Sequence, residues 1–223
     1  LKSGISDSTY NTQTTFYNYS VNSVLNKVRP LPPRVDFSFN VGYGWLPKTE
    51  GLTGTDKQFD DKLTSGLAWD LAFHHYIKNF GWGIFYSGYS SDSYYEKTNM
   101  DHNVLLSYIA PLFCTKYSFN KKWMINGEVG VGYLKFSDKI SSGIEKGKTY
   151  VSTVGFNYGI GIEYKLNKHM GIGISFNEIV GSAFLKNIKM ENVHSIIAYN
   201  DYDRINLNRL NLLGGIRFYF GDR

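Results

Sequence analysis

Cysteine is almost missing from this chain: Cys114 stands alone among 223 residues. A disulfide scaffold is therefore excluded, and a chain of this length can bury a sizeable core without one. Long apolar runs are missing too. No window approaches the roughly 18 unbroken apolar residues of a membrane-crossing helix, which excludes a helical membrane protein. Charge is sparse, at 19% of residues, and an acidic disordered chain does not fit. There is no phosphate-cradling Gly loop, no Cys/His zinc spacing and no Gly-x-Ser-x-Gly elbow, so neither a metal nor a cofactor is expected. The chain opens on Leu1 without an apolar signal core, and we expect a mature exported form whose signal peptide has been removed.

What is plentiful is aromatic residues and glycine: 15 Phe, 18 Tyr and 4 Trp, with 23 Gly. Both exceed the usage of ordinary soluble domains. Three segments resemble one another, around Lys78-Asn79, Asn120-Lys121 and Asn167-Lys168, each a tight turn followed by a bulky anchor. Asn in such a turn tolerates positive φ. These turns cut residues 34 to 220 into four units of two strands, which predicts eight strands. Long polar connections are expected between them, at residues 47–62, 89–103, 137–149 and 184–204.

Period-2 alternation runs through the predicted strands. Val35, Phe37, Phe39, Val41, Tyr43 and Trp45 share one face, with Asp36, Ser38, Asn40, Gly42 and Gly44 on the other. The same holds around Trp123 to Tyr133, Val154 to Tyr164 and Leu210 to Phe220. Alternation alone fits a soluble barrel with its apolar face inward or a membrane barrel with that face outward. Strands of about ten residues tilted near 40° span about 25 Å, the height of a membrane barrel's apolar band. The glycine-and-charge face suits a narrow lumen better than an aqueous surface. Trp45, Trp69, Trp82, Trp123, Tyr133 and Tyr164 are placed as interfacial girdles require. These features favour lipid outside, and the expected fold is an all-β, eight-stranded antiparallel up-and-down transmembrane β-barrel with short periplasmic turns and long extracellular loops.

The final strand Arg209 to Phe220, and the Gly-aromatic hairpins around Ser107 to Pro111 and Gly130 to Leu134, resemble the small eight-stranded outer-membrane β-barrel proteins of Gram-negative bacteria, of the OmpA/OmpX type. The resemblance covers residues 34 to 220. It implies residence in the bacterial outer membrane, contact with outer-membrane lipid and lipopolysaccharide, and insertion by the barrel-assembly machinery. Gly215, Phe218 and Phe220 are similar to the C-terminal signal which that machinery reads. Leu213 departs from it, standing where a polar residue is common, and Gly221-Asp222-Arg223 extend past the terminal Phe. The family is functionally mixed, so the fold does not deliver an activity.

Projected inward, Asp36, Asp70, Glu128 and Glu163 meet Lys78, Lys116, Lys165, Arg209 and Arg217, with His74 beside Asp70. A charge network filling the lumen is expected, with Asn40, Asn126, Asn157 and Tyr108 as polar partners. Cys114 falls on the same face. Pro111 predicts a bulge or a strand break. Asp101-His102, at a loop rim, is the residual enzymatic candidate, and no catalytic residue is assigned. The four connections carry a net charge of −2 and the remainder +7. Much of the basic excess thus lies on membrane-flanking turns, at Lys78, Lys121, Lys122, Lys165 and Lys168, and gives no support to nucleic-acid binding.

Residues 1–33 are expected to form a periplasmic N-terminal extension and residues 34–221 the barrel. The expected role is non-enzymatic, in envelope structure or protein interaction, as an accessory subunit of a larger outer-membrane complex. A protein partner would be met through the extracellular loops, among them Ile196 to Tyr199, or through the N-terminal arm. The alternatives are a narrow pore for small solutes and an outer-membrane lipid-modifying enzyme or protease.

Overall fold

The computed structural model describes residues 31–46, 64–95, 100–142, 145–184, 189–191 and 204–221. Nearly all of the N-terminal extension, the 47–62 connection and the Ile196 to Tyr199 segment lie outside them. The strands are β1 (Val35–Trp45), β2 (Ser65–Ile77), β3 (Phe80–Tyr95), β4 (Met100–Ser118), β5 (Trp123–Ser142), β6 (Glu145–Lys165), β7 (Met170–Phe184), β8 (Lys189–Glu191), β9 (Arg204–Asn206) and β10 (Arg209–Phe220). Each of β1 to β7 pairs antiparallel with the next, and β10 pairs with both β7 and β1, closing a ring of eight. β9 keeps the register of β10 against β7 and is its upward continuation.

Following partners around the ring from Val35 leads through His75, Trp82, Phe113, Val129, Tyr158, Glu178 and Leu210 back to β1 at Trp45. That offset of ten residues around eight strands sets a tilt of about 40° and an interior filled by side chains.

The three short turns fall where expected, but by another device. Asn120 Oδ1 accepts from the backbone N–H groups of Lys122 and Trp123, both at 2.8 Å, and Asn167 Oδ1 accepts from His169 and Met170 at 2.8 and 2.9 Å. These are Asx turns, in which the amide oxygen rather than a left-handed backbone tightens the loop. The one left-handed non-Gly residue among those described is Lys78, at φ 63°. Lys78 is therefore an exposed turn residue and not the lumen cation expected. Lys165 is half-buried at the turn-end mouth, 5.6 Å above the Tyr219 ring.

Among the described residues, two expected loops are strands. β3 runs to Tyr95 and β4 starts at Met100, while β5 and β6 face each other from Trp123↔Tyr164 to Ser142↔Glu145. Pro111 produces neither bulge nor break. Ile109 faces Tyr133 and Leu112 faces Gly130, the same register on both sides, so Pro111 only interrupts the ladder locally while its other edge pairs with Ile84.

The reason for the misplaced loops is a phase inversion along the strands. Near the short turns the outward face is apolar, as with Ile125, Val129 and Val131 of β5, and the inward face is polar, as with Asn126 and Glu128. Past Tyr133 and Leu134 the roles exchange: Lys135 and Lys139 point outward and are exposed, while Leu134 and Phe136 are buried inside. β4 makes the same exchange, from outward Phe113 and Ile109 to outward Ser107 and Asn103, with Leu106 and Val104 now inside. Apolar-out is what lipid requires and apolar-in is what water requires, so the switch marks the edge of the bilayer. Within the apolar band one outward acid occurs among the described residues, Glu178, and it accepts a hydrogen bond from the Tyr158 hydroxyl on β6.

Candidate functional site

The interior near the short turns is a charge lattice. Lys116 Nζ bonds Asp36 and reaches Glu163 Oε2 at 2.8 Å and Oε1 at 3.0 Å. Arg217 Nε donates to Glu163 at 3.2 Å, and the Tyr219 hydroxyl donates to the same carboxylate at 3.2 Å. His74 faces Asp36 through Nδ1 at 2.7 Å and Glu128 through Nε2 at 3.3 Å, so Asp70, its neighbour on the same strand face, is not its partner. With both ring nitrogens on carboxylates, the imidazolium is the form that satisfies both contacts. Three acids then meet three bases.

Above this layer side-chain amides carry the network. Arg217 also donates to Asn40, Asn40 to Asp70, and Asn177 to Asp70 at 3.2 Å, while Asn211 donates to Asn177 at 2.6 Å. Asn126 and Ser175 border a polar cavity of about 20 Å³ together with Glu128 and Asp70, room for about one water. Arg209 stands higher, bonded to Ser87 and 5.7 Å over the Tyr89 ring. The Tyr108 hydroxyl donates to Asn157 Oδ1 at 3.0 Å. Cys114 is buried on the inward face.

An apolar plug closes the remaining interior: Phe85, Leu106, Leu134, Phe136, Val151 and Ile179 pack with Ala183, Ile205 and Leu207. Sequence reasoning missed it, because the inward face had been read as glycine and charge throughout. The signal was there in Leu105-Leu106 and Tyr133-Leu134, where apolar residues occupy adjacent positions and both faces.

The aromatic residues lie on the outer wall. Trp123 and Tyr164 meet edge to face at 4.9 Å by the short turns, and Trp82 is exposed nearby. Trp45 ends β1 at the other rim, 4.9 Å from Tyr43. Trp69 and Tyr133 are in mid-strand, since the strands outrun the apolar band, and the Trp69 indole covers Gly88, where a Cβ would collide with it. Gly215 faces inward against Asn40, with Phe218 and Phe220 on the outer wall.

Beyond the band, His102 Nδ1 meets Asp138 Oδ2 at 3.0 Å on the inward face. Ser93 is the cross-strand partner of His102, and its buried hydroxyl has no hydrogen-bond partner among the described residues.

No family model matches the sequence, and no curated protein is similar to it in sequence. Solved structures do match. Neisserial surface protein A is 9% identical, covers 83% of this chain and 97% of its own, and superposes with a TM-score of 0.53. OprG of Pseudomonas aeruginosa (14% identity, 85% and 97% coverage) and Ail of Yersinia pestis with the heparin analogue sucrose octasulfate (17%, 83% and 99%) have lower TM-scores of 0.48 and 0.44. The chain has the fold of the small eight-stranded outer-membrane β-barrel proteins.

Proposed function

We propose that this protein is a non-conducting, non-enzymatic outer-membrane anchor that presents the tall β3–β6 wall to a protein partner, with the short turns on the periplasmic side. The observation that carries the reading is the filled interior: a charge lattice at one end, an amide chain above it and an apolar plug at the other. An eight-stranded ring has no room for a solute path past such contents. Tyr94 and Leu105, exposed above the apolar band on that wall, supply apolar anchors for a partner. Planar-bilayer recording of the folded protein is expected to show no reproducible conductance steps; steady unitary currents would favour the pore. Cross-linking from an introduced Tyr94→Cys in native membranes is expected to trap a protein neighbour.

A second reading, hydrolysis at the hairpin end, has the His102–Asp138 pair opposite Ser93 in its favour. Ester or peptide hydrolysis lost in Ser93→Ala and His102→Ala alike would establish it over the first.

A further inference from the structure

On the outer wall of β5, β6 and β7 two features stand one above the other. The lower is an open groove of about 500 Å³ lined by the apolar Val131, Val154, Phe156 and Val180, with Ser182 and Asn206 toward its upper edge. It exists because the β6–β7 ladder ends at Gly155↔Gly181 and pairing on that edge of β6 resumes at Tyr150↔Lys189 of β8. The upper feature is basic. Lys135 is the first outward residue of β5 beyond Tyr133, with Ser107 and Ser152 as its register partners. Lys139 follows on the same face and stands opposite Lys148. Like charges directly opposite one another destabilise a sheet, and this pair stands just past the phase inversion that marks the bilayer edge.

One nearby acid balances part of this charge. Asp101 is diagonal to Lys139, which leaves a cationic excess on the three lysines, with Lys135 facing only Ser107 and Ser152 in register. An apolar groove inside the band with cations directly above it has the polarity of a single anionic lipid. A neutral lipid would fill the groove and leave the lysines uncompensated.

We infer that this wall binds a phosphate-bearing lipid of the surrounding leaflet, its acyl chain in the groove and its phosphate on Lys135 and Lys139. The inference rests on the lipid-facing reading of the barrel exterior. It is tested in nanodiscs holding equal amounts of phosphatidylglycerol and phosphatidylcholine with identical chains. Protease protection first reports insertion, and native mass spectrometry then counts the lipids that stay bound. Wild type is expected to keep phosphatidylglycerol in preference, and the exposed double variant K135Q/K139Q to insert normally while losing about tenfold of that preference. Val180→Trp, which fills the groove, is expected to lower retention of both lipids. Equal retention of the two lipids by wild type, an unchanged preference in K135Q/K139Q, or undiminished retention in Val180→Trp overturns the site. Failure of wild type to insert overturns the lipid-facing reading itself, and is seen before any lipid is counted.

Discussion

The two ends of the same barrel are built on opposite plans. Near the short turns the interior is ionic and the exterior apolar, with Lys116, Asp36 and Glu163 inside and Phe37, Phe218 and Ile162 outside. Near the hairpin end Leu106 and Phe136 are inside, and Asn103, Lys135 and Lys139 are outside. The strands do not change their parity between the two; only the solvent outside them changes. The lesson is that the lumen's chemistry is set by what surrounds it. Where lipid covers the wall, apolar side chains are placed outside and the polar remainder must pair with itself. Where water covers the wall, the ordinary apolar core returns.

The two ends therefore fail by different mechanisms. The largest effect is expected from Lys116→Met. It removes the shared cation of Asp36 and Glu163 and strands buried carboxylates, at about 3–5 kcal/mol. Urea titration of the folded fraction in lipid vesicles, read by heat-modifiable gel migration, measures it. The double variant Lys116→Met/Glu163→Gln should recover at least about 1 kcal/mol, because one stranded charge goes with its partner. A single-variant loss below about 1 kcal/mol would mean that the ionic end is not held by its pairs.

At the other end, Leu106→Ala is expected to cost about 3 kcal/mol through lost burial and a residual cavity. No charge change is involved, so the loss should not respond to salt. A salt-dependent loss in the same vesicle titration would show that the plug is not the apolar packing described.

How much of this was legible beforehand follows from the same contrast. The alternation from Val35 to Trp45 and from Val154 to Tyr164 lies within the apolar band, where one plan holds from end to end, and Asp36 and Glu163 on its polar face are buried. Residues 89–103 and 137–149 lie across the inversion. Their outward residues are polar, and they read as loops although the ladder continues through them. Lys78 was misplaced because strand parity was carried one residue into a turn. His74 and Asp70 share the inward face of β2 as their spacing requires, but the partners of His74, Asp36 and Glu128, come from other strands and are visible only once the ring closes.

The contrast is sharpest on one face of one strand. Val129 and Lys135 both point outward and exposed from β5, six positions apart, on opposite sides of the inversion at Tyr133 and Leu134. A lysine at Val129 enters the apolar band, where a lipid-facing cation costs about 2–4 kcal/mol near the midplane. The reverse exchange, Lys135→Val, acts at an exposed position and should change stability by no more than about 0.5 kcal/mol. Strand identity, face and the exchanged pair of residues are shared, so the difference isolates the surroundings. Equal and small effects in the vesicle titration would mean that β5 has no lipid boundary at Tyr133, and the exterior of this barrel would then have to be wet throughout. Graded losses for lysine at Val129, Val131 and Tyr133 would instead trace the approach to the boundary residue by residue, since the penalty falls toward zero at the interface.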